Sequence, residues 1–229
     1  VFSNNENLRT FTVSEDNLYY CAVDGVLMNK NQSELICHPQ ATDETTYIVP
    51  DTVKTICESA FAGCDSLEEI ILPENLETIE ASTFCGSNIE RITIPDSVTE
   101  IGESAFSNCK NLEEVTIGDG VPGINNYLFK NCENLETVVV GKNVQNIGYS
   151  AFADCRSLRD VSLPEGLTLI RQQAFKNCTN LEYLVLPNTI TKLETKVFED
   201  CKSLINVTLS ESLTAIPSDC FRYCVTLRF

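Results

Sequence analysis

The sequence predicts an α/β-type repeat protein, a solenoid of coils about 23 residues long with one parallel strand per coil and a β-meander inserted near the N-terminus. Three observations predict it. Phe recurs at Phe61, Phe84, Phe106, Phe129, Phe152, Phe175, Phe198 and Phe221, at an almost constant spacing. In seven of these eight units a Cys stands three residues later and a Leu six residues later, from Cys64/Leu67 to Cys224/Leu227. After the Leu comes a short alternating run closed by Pro, Gly or Ser. A fixed period of this length means stacked repeats, because one unit cannot bury its own apolar rows and its neighbours must cover them.

The N-terminal part departs from the period. Phe2, Leu8, Phe11 and Val13 fit the start of a coil, yet the next Phe in register is Phe61, well over two periods on. The excess lies between Ser14 and Val49. Within it Tyr19–Ala22, Val26–Asn29 and Glu34–His38 read as strands, separated by Asp24-Gly25 and Asn29-Lys30-Asn31. Asp-Gly favours a tight hairpin because both residues tolerate positive φ. A three-stranded meander over 14–49 is therefore expected, followed by regular repeats over 50–229.

Each regular unit then reads in the same order. The inward pairs Ile70/Leu72, Ile92/Ile94, Val115/Ile117, Val138/Val140, Val161/Leu163, Leu184/Leu186 and Val207/Leu209 alternate as a half-buried strand does. Pro73, Pro95, Pro164 and Pro187 close four of these strands, as suits a residue without a ladder donor. A second apolar pair follows, as in Val98/Ile101 and Val144/Ile147. The small-Phe-x-x-Cys stretch has apolar positions three and four apart, which predicts a helical or 3₁₀ turn. At the far end Leu227-Arg228-Phe229 stops inside an expected strand. Residues 1–229 thus read as a single domain, cut from a longer protein at both ends, with the strands of the regular units forming one sheet.

Composition narrows the chemistry. Sixteen basic against thirty-three acidic residues leave a net charge of −17, which argues against binding nucleic acid or anionic membranes. The asymmetry is strong: residues 1–115 hold 21 acidic and 5 basic side chains, residues 116–229 hold 12 and 11. No stretch approaches the roughly 18 consecutive apolar residues of a membrane span, so no direct membrane insertion is expected. Val1–Glu6 has neither a basic start nor an apolar run, so no signal peptide is expected here.

Twelve Cys and one His, His38, could suggest several sites. Zinc would want Cys or His pairs at close spacing, and none occurs; no metal or cofactor is expected. Cys in neighbouring coils stand about 4.8 Å apart, beyond the roughly 3.5–4.5 Å between bridged Cβ atoms, so a disulfide framework is disfavoured. A ladder of small buried thiols fits better. Cys37 and His38 are adjacent and, in a strand, point to opposite faces, which argues against a nucleophile pair. Gly118-Asp119-Gly120-Val121-Pro122-Gly123 lacks the Lys and the helix of a phosphate loop. No convergent nucleophile, base or metal set exists, and no catalytic residue is assigned.

The strand face is the expected ligand face, because there outward side chains form rows across the coils. Its candidate recognition row is Glu69, Arg91, Glu114, Thr137, Asp160, Tyr183 and Asn206, with Ile71, Thr93, Thr116, Val139, Ser162, Val185 and Thr208 as a smooth second row. Tyr183 is the aromatic anchor of the first row.

Written as Ala-Phe-x-x-Cys-x-x-Leu-x-x-Val-x-Ile-Pro-x-x-Val-x-x-Ile-Gly, the unit seen from Ala105-Phe106 to Ile117 and from Ala151-Phe152 to Pro164 resembles the BspA-like class of leucine-rich repeats. The resemblance covers nearly the whole chain, and the Asp24-Gly25-Val26-Leu27 segment is similar to insertions in that class. It implies a leucine-rich-repeat solenoid from an extracellular or cell-surface protein. It also implies a non-enzymatic protein-binding or adhesion module whose partners are proteins or glycoproteins, including extracellular host proteins. The alternative is a structural spacer or accessory repeat domain of a larger surface protein.

Overall fold

The computed structural model describes Phe2 and residues 5–228; Val1, Ser3, Asn4 and Phe229 lie outside the described residues. With Phe229 goes part of the strand expected at the C-terminal end, and Leu227 and Arg228 do not form one. The chain winds as a β-solenoid whose coils contribute a main strand, in most coils a shorter second strand, and a turn that carries the Phe.

The main strands stack in parallel. Thr46–Ile48, Glu69–Ile71, Arg91–Ile94, Glu114–Ile117, Thr137–Val139 and Asp160–Ser162 form a six-stranded sheet, and Tyr183–Val185 pairs with Asn206–Thr208. Registry is residue for residue, as in Glu114↔Thr137↔Asp160. A one-residue slip would turn the apolar row outward, so burial itself enforces this register. The expected single sheet is interrupted, however, because Asp160–Ser162 and Tyr183–Val185 do not pair. Asp and Ser are poor strand formers, and Ser162 replaces the β-branched residue found here in most neighbouring coils.

The second apolar pair builds a second sheet from strands such as Thr55–Ile56, Thr78–Ile79 and Glu100–Ile101, and later Asn146–Ile147, Leu169–Ile170 and Lys192–Leu193. Its one break follows from a single residue. In successive coils Glu77 N–H donates to Lys54 O, Thr99 to Glu77, Gln145 to Pro122 and Thr168 to Gln145. Pro122 stands where the donor to Thr99 O belongs and has no N–H to give.

The repeat solenoid of parallel strands is as expected, but no helix occurs among the described residues, so α/β is a loose label for it and the expected helical or 3₁₀ turn around each Phe does not form. The residue two before the Phe and the residue two after it both adopt positive φ, as at Ser150 (50°) and Asp154 (65°) around Phe152. A right-handed helix cannot pass through two such positions. The backbone donors are satisfied another way. Ser150, Phe152 and Asp154 donate to Gln172, Ala174 and Lys176 of the next coil, while Ala151, Ala153 and Cys155 close turns onto Gly148, Ser150 and Phe152. Alternate N–H groups therefore hold coils together and alternate ones hold the turn together.

The Phe rings stack on one another inside, with centroids 5.0–5.6 Å apart and planes within 16° from Phe61 to Phe221. From Cys109 to Cys224 the thiol beside the spine donates to the Phe carbonyl one coil back, as Cys109 does to Phe84 (3.0 Å), Cys132 to Phe106 (3.0 Å) and Cys155 to Phe129 (3.1 Å). A small apolar side chain with a weak donor suits this slot better than Ala, which donates nothing. All twelve cysteines are free. Thiol titration in denaturant without reductant should accordingly find close to twelve thiols; six or fewer would mean a disulfide framework.

The meander enters as a hairpin. Tyr20–Val23 pairs antiparallel with Val26–Asn29 around Asp24 and Gly25, both at positive φ. Val26–Asn29 then pairs antiparallel with Glu34–Cys37. That third strand is more than an insertion, for it pairs in parallel with Thr55–Ile56 as the second-sheet strand of a regular coil. His38, one period before Phe61, takes the Phe position and stacks on Phe61 at 5.2 Å. Regular coils therefore begin at Glu34 rather than near Pro50.

Candidate functional site

The outward positions of the main strands form a row in register from Glu69↔Arg91 through Arg91↔Glu114 and Glu114↔Thr137 to Thr137↔Asp160, and again at Tyr183↔Asn206. Thr137 is half-buried and the other six are exposed. At the N-terminal end the row is already self-paired, since Arg91 lies 3.6 Å from Glu113 and 3.7 Å from Glu114. Exposed pairs of this kind contribute little stability and remain available for exchange with a partner's charges.

The row changes character at the break between Asp160–Ser162 and Tyr183–Val185. Elsewhere the residue before each main strand donates its N–H one coil back, as Glu136 does to Glu113 (2.8 Å), Arg159 to Glu136 (3.0 Å) and Ile205 to Glu182 (2.8 Å). The matching bond from Glu182 to Arg159 is missing among the described residues. The opening is local. Asn180 still donates to Arg156, Thr191 to Thr168, and Phe152, Phe175 and Phe198 remain stacked behind it. The solenoid thus parts on its sheet face and stays closed at the Phe spine.

Two consequences follow. Val161 and Leu163, at positions buried in most other coils, become half-buried at the floor of the opening. Tyr183 and Val185 stand at its edge, 62% and 67% exposed. One hollow of about 320 Å³ lies over Val161, Leu163 and Pro187, and one of about 570 Å³ adjoins it over Asn180, Glu182 and Ser203; both share Arg159, Asp160 and Tyr183. Asp160, Glu165, Glu182 and Arg159 make no salt bridge among the described residues. The cleft therefore offers an aromatic wall, an apolar floor, unpaired strand backbone and an excess of carboxylate.

The other candidates resolve as structure. His38 is buried, and its Nδ1–H donates to the Pro39 carbonyl at 2.8 Å, leaving Nε2 buried without a partner. Burial lowers its pKa to about 4, so the ring is neutral near pH 7. Cys37, the neighbour in sequence, bonds to the His38 carbonyl, and burial pushes its thiol up to about 11. Cys64 lies nearer the ring, 3.8 Å from Nδ1, and burial pushes it up to about 12. A thiol held protonated is no nucleophile. In the glycine-rich segment, a Cβ at Gly118 would sit 2.6 Å from the Pro95 carbonyl carbon and one at Gly120 2.2 Å from Asp96 O. These glycines let neighbouring coils approach. Among the described residues no group of three or more His, Cys, Asp or Glu is placed to hold a metal ion, and no helix is long and apolar enough to cross a membrane.

Sequence reasoning placed Asp160 and Tyr183 on this face but missed the opening between them. The signal was faint: two weak strand formers, Asp160 and Ser162, flank Val161.

Comparison with known proteins agrees with this architecture. The pattern of the BspA type leucine rich repeat region matches residues 40–159 and 122–229 in six copies. A leucine-rich repeat protein from Eubacterium ventriosum is 32% identical and superposes with a TM-score of 0.83 over 93% of this chain and 55% of its own. A leucine rich cell surface protein from Faecalibacterium prausnitzii is 26% identical, with a TM-score of 0.52 over 80% of this chain and 58% of its own. A leucine-rich repeat protein of T. pallidum, 23% identical with a TM-score of 0.61 over 95% and 91% of the two chains, shares the fold. The chain spans little more than half the length of the first two. No curated protein sequence matches it. With repeat, register and spine all of one kind, the chain belongs to the BspA-type leucine-rich repeat family.

Proposed function

We propose that the chain is a non-enzymatic protein-binding module of a surface or secreted protein. It would engage a protein or glycoprotein partner, extracellular host proteins among them, through its main-sheet face. The observation that carries this reading is the opening between Asp160–Ser162 and Tyr183–Val185, where the row of outward side chains meets half-buried Val161 and Leu163. Binding hot spots concentrate where an aromatic stands beside a desolvated hollow, and Tyr183 occupies that place. Open backbone groups on facing strands add hydrogen-bond capacity that a flat, fully paired sheet lacks. The cell-surface description of the Faecalibacterium relative supports the location. A spacer would have no use for such an opening.

The test is surface plasmon resonance of the chain against purified extracellular glycoproteins. For a partner so found, Tyr183→Ala with Asp160→Ala should weaken binding about tenfold or more while moving Tm by no more than about 2 °C. Unchanged affinity in that double variant would move the site off this face, and absence of any partner would favour the spacer.

A further inference from the structure

A groove of about 780 Å³ lies at the other end of the molecule, on the outer side of the second sheet. Its floor is Tyr20, Leu27 and Ile36, one residue from each strand of the meander. Its wall is the segment that precedes the meander, where Phe2 packs edge-on against Phe11 at 5.1 Å beside Val13. Two backbone bonds tie this wall down, Phe11 N–H to Gly25 O and Ala41 N–H to Leu8 O, both 2.8 Å. The groove's far end is Glu58 and Glu80.

Length, polarity and charge together define what fits. The residues from Tyr20 to Glu80 belong to five neighbouring strand positions in the order of the sheet, a run of about 19 Å at strand spacing. Six extended residues span about 20 Å. Apolar side chains face the floor and wall over most of that run. At the end, one oxygen of Glu80 accepts from Glu58 N–H at 2.7 Å, which orients the carboxylate and leaves its other oxygen open. Neither Glu58 nor Glu80 has a salt-bridge partner among the described residues, and no basic side chain lines the groove. The local field is negative enough that Glu80 and Glu34 add to the burial that pushes the Cys57 thiol up to about 11.

We propose that this groove is a second docking site, which takes a short extended segment of a partner protein with apolar side chains along its length and a Lys or Arg at one end. The apolar residues lie over Tyr20, Leu27 and Ile36, and the cation meets the Glu58 and Glu80 carboxylates. This site is independent of the main-sheet face, some of whose candidate residues lie many coils away.

The test is to pan a random hexapeptide display library over the full chain, with a variant carrying Phe11→Ser, Glu58→Gln and Glu80→Gln as counter-target. All three changes are at exposed or half-exposed positions. Enriched peptides should carry apolar residues and a terminal Lys or Arg. An enriched peptide, synthesised and titrated by calorimetry, should bind the triple variant at least about tenfold more weakly, lose about tenfold when its cation becomes Glu, and bind Tyr183→Ala/Asp160→Ala unchanged. No enrichment over the counter-target, or equal affinity for the cationic and Glu peptides, overturns the proposal. So does a peptide whose binding is lost through Tyr183 and Asp160, or a self-associating chain that the peptide dissociates, which would make a second copy the occupant.

Discussion

Replacing Phe152 by Ala is expected to cost about 3–5 kcal/mol of stability, the range for truncating a fully buried aromatic. Phe152 is fully buried and stacks on two neighbours, Phe129 at 5.4 Å and Phe175 at 5.2 Å. The Ala variant loses the transferred area and both ring contacts, each worth about 0.5–1.5 kcal/mol beyond burial. The void cannot easily collapse, because Phe129 N–H donates to Ala151 O and Phe152 N–H to Ala174 O, which set the coil spacing on both sides. Urea unfolding monitored by circular dichroism would measure it, with Phe152→Leu as an intermediate case. A loss under about 1 kcal/mol would show that the spine is not where the stability lies.

Acidification should weaken the N-terminal coil through His38 by about 3 kcal/mol, and His38→Phe should remove that slope. The ring's pKa is about 4 against an ordinary 6.5, because burial penalises its charged form. The unfolded chain therefore takes up the proton first as pH falls. Stability is complete above 6.5, declines between 6.5 and 4, and levels off below. The groups packed on the ring cannot rescue the cation: Phe61 is stacked, Tyr47 is edge-on at 4.8 Å, and the Cys37 and Cys64 thiols are held protonated. Protonated Nε2 would carry an N–H with nothing to receive it. Denaturation midpoints of both proteins at pH 7 and 4.5 give the answer. The carboxylates titrate alike in each, so their contribution cancels, and equal slopes would sink the assignment of His38 to the spine.

Much of this architecture was legible because a repeat interacts mainly with copies of itself. Phe152, Cys155 and Val161 have their counterparts one period away, so a pattern in the chain is a row in space. The helical turn was misread for a local reason. Spacing of three and four suits a helix, but Ser150 and Asp154 take positive φ, as do Asn131 and Asn177, residues that tolerate it better than most. His38 was missed as a spine residue although it stands one period before Phe61, since its ring has a different chemistry from Phe. Pro122 was legible as a residue without an N–H, but the break it makes in the second sheet went unread, because its partner Thr99 lies a full coil away in the chain.

Period, inward rows, thiol ladder and outward order from Glu69 to Asn206 are therefore consequences of local chemistry repeated at a constant spacing. The opening at Asp160 and Tyr183 and the groove above Tyr20, Leu27 and Ile36 belong to the folded molecule alone. The first depends on whether one more parallel pairing outweighs poor strand formers while the Phe spine holds the coils together behind it. The second arises because Leu8 to Asn17, whose Leu8, Phe11 and Val13 fit the start of a coil yet form no strand, lie across strands whose own pattern does not encode that position. Nearest-neighbour contacts between like units can be read along the chain; contacts between unlike ones are decided only when the coils have stacked.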